Sequence, residues 1–221
     1  AYLNNQFIFD NNRGVNGEFV TSEIAATLSI DGLDFANAES HPDDIVRGIA
    51  FGELVYFFGS HSLEVWYNSG VGNPPFDKIS GGVRSYGIAG TYAVTTTDEF
   101  VYFLDDKRMP RRFGAGASPS VQAIGNPALG VEFSEYSRIS DCKVFSYIQD
   151  HQQFIVYTFP TADRTWVYHE PSNSWFQWSY GVNDSRSRAN SSILVYGLHY
   201  VADHSNGMIY ELDPCTYTDN G

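Results

Sequence analysis

The residues that could do chemistry are few and scattered. "HPDD", His41 to Asp44, sets an imidazole beside two carboxylates, the donor types of a metal site. No second His or Cys cluster lies near it in sequence, and Asx bonding by Asp43 and Asp44 in a turn accounts for the same residues. "GAGAS", Gly114 to Ser118, is glycine-rich but lacks the Gly-Lys-Ser/Thr ending of a phosphate loop. There is no Gly-x-Ser-x-Gly elbow, and the six histidines have no evident partners. These residues predict no catalytic, cofactor-binding or metal-binding set, and hence no enzyme.

Binding chemistry has better candidates. "DDKRMPRRFG", Asp105 to Gly114, gathers Lys107, Arg108, Arg111 and Arg112, four of only thirteen cations, at the tip of a hairpin. A solvated turn is one reading; a docking knob for an acidic or sugar-bearing partner is the other. "SWFQW", Ser174 to Trp178, offers Trp175 and Trp178 as exposed rings for a glycan, although in an all-β chain such rings usually fill the core. The polar loop "GVNDSRSRANSS", Gly181 to Ser192, reads as mobile or ordered by a partner. It contains two glycosylation-type triplets, at Asn183 and Asn190, expected by chance in so Asn- and Ser-rich a stretch.

Positioning such residues requires a scaffold, and the scaffold repeats. Five apolar runs open on a polar residue: "QFIFD" at Gln6, "ELVYFFG" at Glu53, "EFVYFLD" at Glu99, "QFIVYTF" at Gln153 and "HYVAD" at His199. Their spacings of 47, 46, 54 and 46 residues mark a repeat architecture. Each run is followed by a turn and a second apolar run, from Gly17, Ser62, Arg111, Arg164 and Gly207. Asn16-Gly17 and Asn206-Gly207 suit tight hairpins, which need positive φ. Leading strands are expected in "IVRGIAF", "GIAGTYAVT", "DCKVFSYI" and "SILVYGL", and short closing strands in "FDKIS" and "VQAIG". About four strands per repeat is the size of a propeller blade, with small residues such as "GIAG" at the crowded centre. The reading is an all-β propeller in one domain, its repeats running roughly 1–45, 46–86, 87–136, 137–186 and 187–221. The first repeat is expected to lack its leading strand and the fifth its last. Helix signals are poor; the nearest, "EIAATL" from Glu23, is too short.

Composition sets outer limits. Sixteen Phe, fifteen Tyr and four Trp favour pleated sheet, and twenty Gly with nine Pro supply turns. No run approaches the roughly 20 apolar residues of a membrane helix, so no insertion is expected. Cys142 and Cys215 are too few for a disulfide framework. A formal charge of −13 opposes tight DNA binding, which requires cations to displace counterions. The opening "AYLNNQ", without Met, predicts a piece of a longer polypeptide.

Two resemblances follow from the motifs. "TADRTW", Thr161 to Trp166, resembles the Asp-box hairpin of sialidase-like propellers, though without its usual glycine. It implies an alternative reading, a carbohydrate-binding or sialidase-like propeller recognising host glycan. The second resemblance is broader. "LDFANAESHPDD", "GELVYFFGSHSLEVWYNSG" and "NPPFDKISGG", in that order between Leu33 and Gly82, resemble the tail hub or nozzle proteins of short-tailed phages, the packaged-DNA stabilisation family. That resemblance implies a structural virion protein without catalytic residues, assembled in the host cytoplasm into the phage tail. It implies copies arranged in a ring, a tail adaptor above, tailspike or fibre proteins alongside, and DNA passing nearby without tight binding.

Overall fold

The computed structural model describes residues 1–10, 17–25, 29–31, 34–38 and 43–213. The expected hairpins all form, each within a small antiparallel sheet. Blade one comprises β1 (Tyr2–Leu3), β2 (Gln6–Asp10), β3 (Glu18–Thr21) and β4 (Phe35–Asn37). Blade two comprises β5 (Ile45–Phe51), β6 (Leu54–Gly59), β7 (Leu63–Asn68) and β8 (Phe76–Lys78). Blade three comprises β9 (Val94–Thr96), β10 (Phe100–Leu104), β11 (Pro110–Gly114) and β12 (Gln122–Ala123). A helix, α1 (Pro127–Glu135), follows it. Blade four comprises β13 (Lys143–Gln149), β14 (Gln152–Phe159), β15 (Arg164–His169), β16 (Ser174–Tyr180) and β17 (Ser185–Arg186). Blade five comprises β18 (Ala189–Val195), β19 (Leu198–Asp203) and β20 (Ile209–Glu211). In every sheet the strands lie in chain order, the up-and-down meander of a propeller blade.

The structure departs from the sequence reading in four places. Blade one does have a leading strand, β1, only two residues long and paired Tyr2 to Phe7 and Leu3 to Gln6. "GIAG" is a crossing between blades two and three, and the leading strand starts only at Val94. Blade four gains a fifth strand, β17, where the polar loop folds back on β16. The helix α1 was not foreseen, although Asn126 caps it by accepting the Leu129 N–H at 2.9 Å and Pro127 opens it. The described part of "EIAATL" holds a turn at Ile24 and Ala25.

The blades pack because both faces of the middle sheets are apolar. Each central strand is sandwiched between two neighbours, so alternation gives way to near-continuous burial, as in β6 and β10. Phe58 meets Phe103 at 5.1 Å between blades two and three, and Tyr102 meets Tyr168 at 6.2 Å between three and four. Phe19 stacks on Phe57 at 4.5 Å between one and two. The leading strands β9, β13 and β18 lie side by side, which sets them around the axis.

The turns of the central hairpins and the starts of the leading strands share one rim, bound by repeated carboxylate clamps. Asp43 Oδ2, just before β5, accepts the His61 and Ser62 N–H groups at 2.8 and 3.1 Å. Asp141 Oδ2, just before β13, accepts the Thr161 N–H at 2.7 Å and its hydroxyl at 2.6 Å. Two glycines allow backbones to touch on this rim. A Cβ on Gly87 would lie 1.9 Å from the Ser60 carbonyl oxygen, and one on Gly90 would lie 2.1 Å from that of Ser140. This contact, rather than a place in an inner strand, is what the small residues of "GIAG" serve.

The two ends of the arc are apolar and uncovered among the described residues. On the outer face of blade one, Tyr2 pairs with Phe7, and Phe9 with Val20 and then Phe35. Tyr2 and Phe35 are 52% and 46% exposed. On the outer face of blade five, Val195 pairs with Leu198, Ile193 with Tyr200 and Ala202 with Ile209. Ile193 and Ile209 are 62% and 70% exposed.

Candidate functional site

The cationic hairpin of blade three is bonded inward. Arg111 and Arg112 lie on β11 and not at the tip, which is Lys107 and Arg108. Arg111 Nε sits 2.5 Å from Asp105 Oδ2, whose side chain is fully buried, and its guanidinium lies 4.5 Å over the Tyr86 ring. Asp105 Oδ1 also accepts the Lys107 and Met109 N–H groups at 2.9 and 2.7 Å, which closes the turn. Arg108 donates to the Phe133 and Tyr136 carbonyls at 2.5 and 2.7 Å, satisfying acceptors at the end of α1. Arg112 reaches Glu170 of blade four at 3.0 Å and covers Phe100. Tyr102 donates to the same Glu170 oxygen at 2.6 Å, and burial first, then that hydrogen bond, hold its phenol above the ordinary tyrosine range. Of the four cations read as a docking knob, Arg111 ties its own hairpin, Arg108 the end of α1 and Arg112 blade three to blade four, while Lys107 is exposed.

The tryptophans are also engaged. Trp175 is half-buried between blades three and four, against Tyr157 and Tyr168, and its indole donates to the Ile124 carbonyl at 2.9 Å. Trp178 lies 5.4 Å from Tyr147 and joins the apolar cluster between blades four and five. The rings of β16 that reach solvent are Phe176 and Tyr180, each 38% exposed. Alternation in "SWFQW" separates Trp175 from Phe176 and Trp178 but sets those two on one face, so it could not tell the exposed Phe176 from the packed Trp178.

The remaining candidates resolve into turns. Asp43 is the hairpin clamp described above; His41 lies outside the described residues, which contain no group of three or more metal-ligating side chains. Asp163 of "TADRTW" has a positive φ of 52° and accepts the Arg186 N–H at 3.1 Å, tying β17 to the turn. In "GAGAS" the Gly116 N–H donates to the Tyr56 hydroxyl at 2.9 Å. Cys142 is a buried free thiol, pushed well above its usual range by desolvation and then by Asp141; Cys215 lies outside the described residues. Asn183 is exposed, whereas the Asn190 side-chain oxygen is buried. Sequence reasoning missed one assembly altogether: Arg138, Lys143, Arg186 and His204 line a single cavity on the clamp rim. They come from three separate stretches, the α1–β13 connection running into β13, β17 and the turn after β19, so no linear motif marks them.

No helix among the described residues is long and apolar enough to cross a membrane. Comparison with curated proteins returns no match. Among solved structures, the chain is similar to the computationally designed Ika8 protein, with 11% identity, a TM-score of 0.51, and coverage of 96% of this chain and 56% of that one. It is similar too to the extracellular domain of a hybrid two-component system from B. thetaiotaomicron, with 12% identity, a TM-score of 0.52, and coverage of 91% and 24%. The chain thus spans just over half of the first and about a quarter of the second, and at such identities the likeness concerns the fold alone. A family model described as "Bacteriophage P22 Gp10, beta-propeller" matches residues 1–217, nearly the whole chain. The meander blades and that match converge: the chain belongs to the phage stabilisation family of P22 Gp10 β-propellers, structural proteins of the virion involved in DNA stabilisation.

Proposed function

We propose that this propeller is a non-enzymatic part of the tail hub or nozzle of a short-tailed phage. It joins copies of itself in a ring beneath a tail adaptor, prolongs the DNA channel, helps retain the packaged genome and supports tailspikes or fibres. The observation that carries the reading is the match of the P22 Gp10 β-propeller family model to residues 1–217. The outer faces of blade one, aromatic, and blade five, aliphatic, add support: among the described residues they are uncovered, apolar faces favour association in water, and two different faces on one molecule suit a head-to-tail contact of the kind that closes rings. The formal charge of −13 fits a wall beside DNA, since like charge repels phosphates within a Debye length of about 8–10 Å. DNA slides past such a wall without sticking. The glycan-binding alternative has less support, because both Trp175 and Trp178 are packed into the scaffold.

Sedimentation tests the reading. The chain should self-associate with rising concentration. Phe9→Asp and Ile193→Asp variants, each blocking one end face, should stop at dimers when mixed. A full-length protein that stays monomeric both alone and with its purified tail adaptor overturns it.

A further inference from the structure

A cavity of about 550 Å³ opens on the clamp rim where blades three, four and five meet, and its lining reverses the charge of the molecule. Arg138, Lys143, Arg186 and His204 converge on it from three stretches of a chain with only thirteen Lys and Arg against twenty-six Asp and Glu. Arg186 is held in place by its strand and by its backbone N–H, which donates to Asp163 Oδ1 at 3.1 Å. Its Nη1 is nevertheless buried and has no hydrogen-bond partner. A cationic donor kept from water without an acceptor is costly, and turning the guanidinium toward an anion in the cavity removes the cost. Asn190 adds a second unpartnered group. It sits at the register shift between Ala189 and Ser191, a bulge of the kind that re-aims a side chain, and its Oδ1 is buried without a partner. Flipping that amide, whose oxygen and nitrogen have the same shape, presents a donor instead.

One carboxylate opposes the pattern. Asp141 also lines the cavity; its Oδ2 is taken up by Thr161, and its Oδ1 is buried and unpartnered. Three permanent cations outweigh it. Partial burial and then the Arg186 charge lower the pKa of His204, which leaves its ring neutral near pH 7 and able to donate.

We propose that this rim cavity is an oxyanion site that takes a phosphate group, with Arg186 as the central donor and Lys143 and Arg138 flanking it. A tetrahedral phosphate presents oxygens to arms arriving from several sides, which a planar carboxylate does less well. The cavity is larger than one phosphate and leaves room for an attached group. The chemistry is shared by a free phosphate ion and by a phosphate of a DNA backbone. It stands independently of the ring reading, since it needs no second copy.

The test is calorimetric titration of the 221-residue chain with inorganic phosphate, against chloride at matched ionic strength, and then with a short single-stranded oligonucleotide. Phosphate should bind with saturation. Arg186→Gln should weaken it by about tenfold or more, the usual loss of a charged hydrogen bond. Lys143→Gln should weaken it less, and both variants should keep the wild-type circular dichroism spectrum. An oligonucleotide that competes with phosphate, and loses affinity in Arg186→Gln, identifies the backbone as the source; phosphate binding without oligonucleotide binding identifies the free ion. Phosphate behaving like chloride, or Arg186→Gln binding as well as wild type, overturns the proposal.

Discussion

The molecule holds two groups of basic side chains, and they behave in opposite ways. Lys107, Arg108, Arg111 and Arg112 are neighbours in sequence, yet the three arginines turn inward to Asp105, Glu170 and the carbonyls at the end of α1. Arg138, Lys143 and Arg186 are spread over 49 positions, yet with the neutral His204 they face one cavity, and a buried Arg186 nitrogen there has no partner. Contiguity in sequence therefore says little about availability. A hairpin's own turn and its neighbouring blades consume charges placed on it, whereas charges delivered by separate rim segments meet with no obligation to one another.

This contrast can be broken at either end. The largest expected effect is at Arg111. Replacing it with Met strands the fully buried Asp105 carboxylate, and urea unfolding should register a loss of about 3 kcal/mol. A loss below about 0.5 kcal/mol would return the hairpin to the status of a solvated knob. Arg108→Ala should cost about 1–2 kcal/mol, because two carbonyls at the end of α1 lose a charged donor; hydrogen exchange should rise first in α1. Arg112→Met should cost less, about 1 kcal/mol, since the Arg112–Glu170 pair is roughly a quarter exposed and screened by solvent. At the other extreme, Arg186→Gln should destabilise the protein in chloride by no more than about 0.5 kcal/mol, as its free nitrogen holds nothing in the fold. A large destabilisation there would make the rim group structural and erase the distinction.

The same contrast explains what the sequence disclosed. Hairpins were legible because each is local: an apolar alternating run, a turn with the right residues, and a second run. Gly207, at a φ of +70°, does what the Asn-Gly pair promised. The helix was legible too and was overlooked. Asn126-Pro127 is a start signal, and Leu129 and Phe133, four apart, are its two buried residues. Strand β1 left no trace because two residues carry no period. The roles of Arg111, Trp175 and Arg186 were not legible, because each depends on an element from elsewhere in the chain: Tyr86 under Arg111, the Ile124 carbonyl beside Trp175, and Asp163 behind Arg186. Sequence reports which side chains a strand carries; only the stacking order of blades decides which of them are taken.

Gly87 and Gly90 bring main chain directly against main chain, with no side chain between. Side chains can swing to new rotamers under force and so behave as padding, but peptide planes cannot. The crossings between blades two, three and four are therefore hard stops, and a push on one blade reaches the next with little give. If the propeller serves in the tail ring proposed above, that is the difference between a gasket and a collar.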